Sequence, residues 1–534
     1  MNKIFFNGKI YTMDKNDSVV EAVYVEDGKI KKTGSNDEIF SLKKDGDKIV
    51  DLHNQTVVPG FNDSHLHMLL YGQCLNEVML FGSKSQDEVV ERGSEFLKTH
   101  ELSEGQWLVG RGWNHDDFEN KKMITKYDLD KISTEIPIMF SRACYHIITC
   151  NSKALKLAGI TKDTKLENGE VEVIDGEMTG VLKEGAGQIV SSIINNMKRK
   201  ETKNDLLAAM NKMSSFGITS VHSDDDITDG DYNVVEAYKE IEAEGKMDVR
   251  VFQQCRIYNI EGFNDFINRV YNKFEPTENY KLGSVKIWTD GSLGGRTALM
   301  NEPYSDDINT SGISTFEKND LFDLISAAHY NNLPVAIHAI GDKAVDIAIE
   351  GIEKAKVKNP KEDMRHGIIH LQITSKEALR KIKEDNIIAF IQPIFVGTDY
   401  KIVEDRVGNR AKDSYNWKTL LDYGVKIPFS TDSPVESPNP LENIYCAVTR
   451  MDLQQKPEGG WLPEQKLTVS QAVKAYTVDS AYASYEENVK GSIEEGKFAD
   501  MAVLSHNIFE LHPVKIKDAY CTMTVKGGKI VYKK

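Results

Sequence analysis

The stretch Val57-Val58-Pro59-Gly60-Phe61-Asn62-Asp63-Ser64-His65-Leu66-His67 decides how the rest of the chain is read. An apolar, β-branched run leads into two histidines spaced two residues apart. On a strand, residues i and i+2 share a face. Two imidazoles then converge from one strand end and form half of a site for a divalent metal. By itself a His-x-His is short and arises by chance, and two polar loop residues would look the same. Its meaning depends on what the remaining chain supplies.

Moving outward, short apolar runs alternate with helical patterns, the signature of parallel β/α units. Eight candidate strands follow in order: Val57–Phe61, Gly217–His222, Val249–Cys255, Ser284–Trp288, Pro334–His338, Gly367–His370, Ile387–Ile391 and Val425–Ser430. Helical patterns separate most of them, as at residues 320–331, 343–354, 375–384 and 416–423. Eight such units predict an α/β fold, a (β/α)8 TIM barrel. The first crossover is far too long for one helix. It holds strand-like segments at 107–113 and 136–149 and a Gly-containing hairpin at 167–180, so an insertion is expected over about residues 75–205, as a cover on the catalytic rim.

Both chain ends read differently. Short strands at 4–6, 10–13, 22–25 and 30–33 are separated by the turn signals Asn7-Gly8 and Asp27-Gly28. Residues 501–504, 522–525 and 529–532, with Gly527-Gly528 between the last two, look alike. Neither end has enough strands for a stable sheet. The expected organisation is therefore a small β-sandwich built from residues 1–56 and 485–534, beside a barrel spanning 57–484.

In a TIM barrel the chemistry gathers at the C-terminal strand ends. His65 and His67 follow strand one, Lys286 lies on strand four, His338 ends strand five, His370 ends strand six and Asp432 follows strand eight. Each has a plain structural alternative: a core histidine, a turn aspartate, or a Lys286–Asp290 ion pair. Lys286 is the hardest to explain structurally. Its neighbours Val285 and Ile287 point to the opposite face, which aims the ammonium into the barrel, where an unpaired charge is costly. Burial lowers a lysine's pKa, and a neutral amine can add carbon dioxide to give a carbamate that bridges metals.

The layout resembles the amidohydrolase superfamily, in particular the branch of N-substituted formamide deformylase and similar "amidohydrolase 3" proteins. The resemblance rests on residues 58–67, on Val-Lys-Ile-Trp-Thr-Asp-Gly-Ser-Leu-Gly-Gly-Arg-Thr-Ala at 285–298, on Ile-His-Ala-Ile-Gly-Asp at 337–342, on Ser-Thr-Asp-Ser-Pro-Val-Glu at 430–436 and on residues 491–500. It implies that His65, His67, Lys286 as carboxylated lysine, His338, His370 and Asp432 are metal ligands. It implies one or two divalent ions, zinc above others. A metal-activated hydroxide would attack an amide-type carbon, with Asp432 shuttling the proton and His338 or His370 assisting at the carbonyl oxygen. Ester hydrolysis, deamination, or an inactive binding barrel are the alternatives. Lys286 counts against a deaminase, and the full ligand set against an inactive barrel. One departure stands out: the branch usually has an acid before the strand-six histidine, and here that residue is Ile369. Trp113, His115, Arg142 and His146 in the insertion, and Arg296 after Gly294-Gly295, are expected substrate contacts. His222 also ends a strand at the site, but the resemblance gives it no role.

Composition narrows the partners. A net charge of −16 argues against nucleic acid and anionic membranes. The six cysteines include no Cys-x-x-Cys pair, and no run approaches the ~20 apolar residues of a membrane span. The start of the chain has too short an apolar run for a signal peptide. The expectation is a reduced, cytoplasmic protein with a small-molecule substrate, and a homodimer, as is frequent among similar proteins.

Overall fold

The computed structural model describes residues 2–534 except 101, 103–104, 116–117, 143–146, 167–168, 199–201, 226 and 228–232, with the backbone alone at 195–198. The chain forms two compact units, Met1–Met68 with Ala209–Lys534, and Leu69–Ala208.

The first unit holds the barrel. Its strands are β1 (Phe61–Leu66), β2 (Ile218–Ser223), β3 (Arg250–Arg256), β4 (Tyr280–Trp288), β5 (Val335–Ala339), β6 (Gly367–His370) and β7 (Ile388–Phe390). They form one sheet in chain order, and every neighbouring pair is parallel. Helices such as Lys318–Tyr330, Asp342–Lys358 and Lys376–Glu384 fall between later strands. Ser375 caps the last of these by accepting from the Ala378 amide.

The eighth position is filled without a regular strand. Ile391 makes a parallel bridge to Phe429. The carbonyls of Lys426 and Pro428 accept from Ala389 and Ile391 on one side at 3.0 and 3.1 Å. On the other side the Phe429 carbonyl accepts from Ser64 at 3.0 Å, and Asp432 donates to the His65 carbonyl at 2.9 Å. Pro428 has no N–H to give, which breaks the ladder pattern that a strand needs. The sheet is thereby nearly closed.

The expected first strand also divides. Thr56–Pro59 pairs antiparallel with Met501–Leu504 and parallel with Lys9–Tyr11, outside the barrel. The barrel strand begins only at Phe61. Gly60 is the crossing point: a Cβ there would lie 2.2 Å from Thr219 Oγ1, so only glycine fits. Two sheets take up the chain ends. The four-stranded one comprises Lys3–Phe6, Ala22–Glu26, Lys29–Gly34 and Lys48–Asp51; the six-stranded one mixes strands from both ends. Phe5, Val23 and Val25 of the first share a core with Val57, Met501, Val503 and Val525 of the second.

The second unit contains a six-stranded mixed sheet of Val78–Met79, Leu108–Trp113, Ile138–Arg142, Ile147–Cys150, Gly169–Ile174 and Glu177–Glu184. The single strand-like segment read at 136–149 is thus two antiparallel strands. Among the described residues, no helix is long and apolar enough to cross a membrane. Cys74, Cys150, Cys255, Cys446 and Cys521 are buried and form no disulfide with one another, as their scattered spacing suggests.

Candidate metal centre

Strand ends β1, β4, β5 and β6, together with the 430–433 segment, bring His65, His67, Lys286, His338, His370 and Asp432 to one place. The hydrogen bonds on the far side of each imidazole decide where its lone pair points. His65 Nδ1 lies 2.6 Å from Gln254 Oε1, and the Gln254 amide nitrogen donates to the Ser64 carbonyl. The glutamine oxygen therefore accepts, Nδ1 carries the hydrogen, and Nε2 keeps the lone pair. His370 repeats the device with Gln392: Nδ1 donates to Oε1 at 2.8 Å, while the Gln392 amide nitrogen donates to Ser430 Oγ at 2.7 Å. His67 Nδ1 donates to the Asp224 carbonyl at 2.9 Å. His338 is reversed: Nε2 donates to the Gly291 carbonyl at 3.1 Å, leaving Nδ1 as its ligand atom. Four imidazoles are thus fixed in tautomers suited to metal binding.

Asp432 sits among them. Its Oδ1 is 3.0 Å from His67 Nε2 and 3.3 Å from His65 Nε2. Ligand atoms of His65, His370 and Asp432 lie within 4.8 Å of one another. His338 and His370 are edge to face at 4.4 Å. A carboxylate oxygen facing imidazole lone pairs calls for a cation between them, either a proton or a metal. Burial opposes the charge on Asp432, but with a proton in that gap the hydrogen bonds from His65 and His67 outweigh it and hold the carboxyl well below its ordinary range. His67 is likewise raised by Asp432 and Asp224 against burial. His370 is driven well below the ordinary histidine value by burial and by His338. His370 and Asp432 both adopt left-handed backbone, with φ of 80° and 57°, which is uncommon for non-glycine residues.

Lys286 is fully buried, and its Nζ has no hydrogen-bond partner among the described residues. Burial, with Arg256 nearby, pulls its pKa down to about 8. Its nearest carboxylate oxygen is Asp224 Oδ2 at 3.9 Å. Asp290 is committed elsewhere: its carboxylate accepts the backbone N–H groups of Leu299, Ile340 and Gly341. The donor chemistry therefore fits a divalent metal, with imidazoles of fixed tautomer, one carboxylate and a buried amine that makes no hydrogen bond among the described residues.

The other sequence-selected residues lie as follows. Ile369 packs in an apolar cluster with Ala336, Ile388 and Phe390. His222 is buried against Phe252 at 5.0 Å, and burial lowers its pKa to about 3. Arg296 makes two hydrogen bonds to Asp306 at 3.0 and 2.9 Å. In the second unit Trp113 is a core residue whose Nε1 donates to the Phe140 carbonyl. Arg142 donates to His115 Nδ1 at 3.3 Å and to Asn114 Oδ1 at 2.7 Å. His146 lies outside the described residues. Gln254, Gln392, Asp224, Arg256 and Asp290 were not among the residues selected as ligands or substrate contacts. The polar run Gln253-Gln254-Cys255-Arg256 on an otherwise apolar barrel strand is the visible signal for Gln254 and Arg256.

Residues 48–532 match the model of an amidohydrolase family. The chain belongs to that family. Full-length relatives agree. It is 35% identical over 544 residues to YtcJ of Bacillus subtilis (strain 168), a candidate amidohydrolase by name, with 100% of both chains covered. It is 25% identical to the N-substituted formamide deformylase of Arthrobacter pascens, covering 99% of this chain and 98% of that one. Among solved structures, a metal-dependent hydrolase from Pyrococcus horikoshii OT3 superposes with a TM-score of 0.79 at 29% identity, covering 96% of this chain and 99% of the other. The amidohydrolase-family assignment makes the protein a metal-dependent hydrolase in class and agrees with the α/β barrel.

Proposed function

We propose that this amidohydrolase cleaves a non-peptide carbon–nitrogen bond, amide- or formamide-like, in a small molecule. The observation that carries the reading is the ring of tautomer-fixed imidazoles around Asp432 beside a buried Lys286 that makes no hydrogen bond among the described residues. In this reading His65, His67, His338, His370, Asp432 and a carboxylated Lys286 hold one or two divalent ions, zinc being the choice that suits nitrogen-rich ligands. The metal supplies Lewis-acid polarisation and lowers the pKa of a water toward neutrality. The nature of the bond is supported by the name of the formamide-cleaving relative.

The chain's own groups do the rest. Asp432, ionised across the working range, accepts the proton of the attacking water and returns it to the leaving nitrogen. Its carboxylate reaches His65 and His67 at the end of β1. Gln254 and Gln392 keep His65 and His370 from rotating, so that the ligand atoms are preorganised. His338 or His370 faces the carbonyl oxygen as charge develops on it.

The test is turnover of a panel of N-substituted formamides and simple amides, run with wild-type protein and with Asp432→Asn, both metal-loaded. The expected result is hydrolysis by the wild type, and a loss of at least a thousandfold in the variant with bound metal largely retained. Wild-type rates in the variant would contradict the role given to Asp432. Activity on esters alone would contradict the bond assignment.

A further inference from the structure

Two side chains at the centre have no part in the hydrolytic reading. Asp224 directly follows β2, and Arg256 ends β3. Asp224 is 1% exposed. Its Oδ1 accepts from Arg256 Nε at 3.1 Å. The same guanidinium lies 4.3 Å from the centre of the Trp288 ring and reaches to 3.4 Å from His67 Nδ1. Asp224 Oδ2 has no hydrogen-bond partner among the described residues. It is 3.6 Å from His67 Nδ1 and 3.9 Å from Lys286 Nζ. Lys286 Nζ, equally buried and equally without a hydrogen bond, rests 4.1 Å over the Trp288 ring. A buried carboxylate oxygen and a buried nitrogen thus face each other, each short of a partner. Native interiors rarely leave either group so.

Asp224 is not well placed to be a metal ligand, although its oxygen is close to His65 and His67. The face of His67 turned to Asp224 is the Nδ1 face, and that hydrogen is already given to the Asp224 carbonyl. The lone pair of His67 is on the other side of the ring, with Asp432. The group that Asp224 Oδ2 does address is Lys286.

We propose that Asp224 is the positioning residue of a carboxylated Lys286, its free Oδ2 accepting the carbamate N–H while Arg256 holds the other oxygen. This rests on the reading of Lys286 as carboxylated. The modification itself is balanced: the lone pair of the neutral amine attacks carbon dioxide, an N–C bond forms, and one C=O π bond opens onto oxygen. One proton leaves the nitrogen for solvent. The product keeps a single N–H on a fully buried nitrogen, and Asp224 Oδ2, without a hydrogen-bond partner among the described residues, is the acceptor beside it. Arg256 has a second task, since its charge offsets the repulsion between the Asp224 carboxylate and a neighbouring carbamate. The stacking of Arg256 on Trp288, two residues from Lys286, fixes that charge in place.

The experiment uses the full-length, metal-reconstituted protein in a series of 13C-bicarbonate concentrations. It reads the carbamate 13C resonance and the metal bound per chain, for wild type, Asp224→Asn, Asp224→Ala and Arg256→Met. In Asp224→Asn the amide oxygen is drawn to Arg256 and the NH2 is left facing the carbamate N–H, donor against donor. The expected result is a carbamate signal in the wild type and, in both Asp224 variants, a bicarbonate requirement for half-occupancy raised at least tenfold, with metal occupancy falling in step. Arg256→Met shifts in the same direction. Asp224→Asn, the same size as the wild-type residue, decides the matter if Asp224→Ala does not fold. A wild-type carbamate whose bicarbonate dependence is unchanged in the Asp224 variants overturns the positioning role and leaves the reading of Lys286 standing. No carbamate in the wild type overturns both.

Discussion

A buried histidine pair at the opposite end of the barrel makes this protein sensitive to mild acid. His366 immediately precedes β6. The Val335 amide donates to His366 Nδ1 at 3.1 Å, so that nitrogen carries no hydrogen. His366 Nε2 must then carry it, and it donates to His329 Nδ1 at 2.9 Å. His329 Nε2 in turn donates to the Asn359 carbonyl at 2.6 Å. Every ring nitrogen is used, both rings are neutral, and a further proton would set donor against donor. Burial, then His329, Lys356 and Lys361, lower the His366 pKa to about 3. An unfolded histidine titrates near ~6.5. Between these values the unfolded chain binds a proton that the folded chain refuses. The stability from neutral His366 is therefore complete above ~6.5 and falls as pH drops, by about 1.4 kcal/mol per pH unit. From pH 7 to pH 5 the loss is roughly 2 kcal/mol. The assay is urea denaturation of wild type and His366→Asn at both pH values. Asparagine keeps an acceptor for Val335 and cannot titrate, and other titrating groups cancel in the comparison. The wild type should lose about 2 kcal/mol more than the variant. Equal losses would refute the tautomer chain.

Three further outcomes follow from the supporting residues. Replacing Asp290 by Ala strips the acceptor from the Leu299, Ile340 and Gly341 amides, and should cost on the order of 3 kcal/mol or more, read as a lowered melting temperature. Gln254→Leu frees the His65 ring and should weaken metal binding by roughly 10–100-fold in a chelator competition, with little change in fold by circular dichroism. Gln392→Leu should act in the same way through His370, and the double variant should lose less than the sum because both rings serve one metal site.

The barrel and six converging residues were legible because each depends on local pattern. The β/α alternation gives the strand order, and strand-end placement then brings His65, His67, Lys286, His338, His370 and Asp432 together. What was not legible has physical causes. The strand written as Val57–Phe61 is apolar throughout, and nothing in it says that Gly60 must hand the chain from one sheet to another; that is set by the backbone lying against Thr219. The eighth strand reads as β-branched and apolar, yet Pro428 denies it a regular ladder. Gln254, Gln392 and Asp224 act through rings and amines far away in sequence, so only the fold connects them to their partners. Arg296 shows the converse: after two glycines it looks available to a substrate, and Asp306, ten residues on, takes its guanidinium.

The central claim is that the four fixed imidazoles and Asp432 surround a divalent metal. An anomalous-difference map from crystals grown with zinc tests it directly. The account predicts a peak bounded by His65 Nε2, His67 Nε2 and Asp432. A map with no peak there under zinc saturation, or with its metal held by other residues, would contradict it.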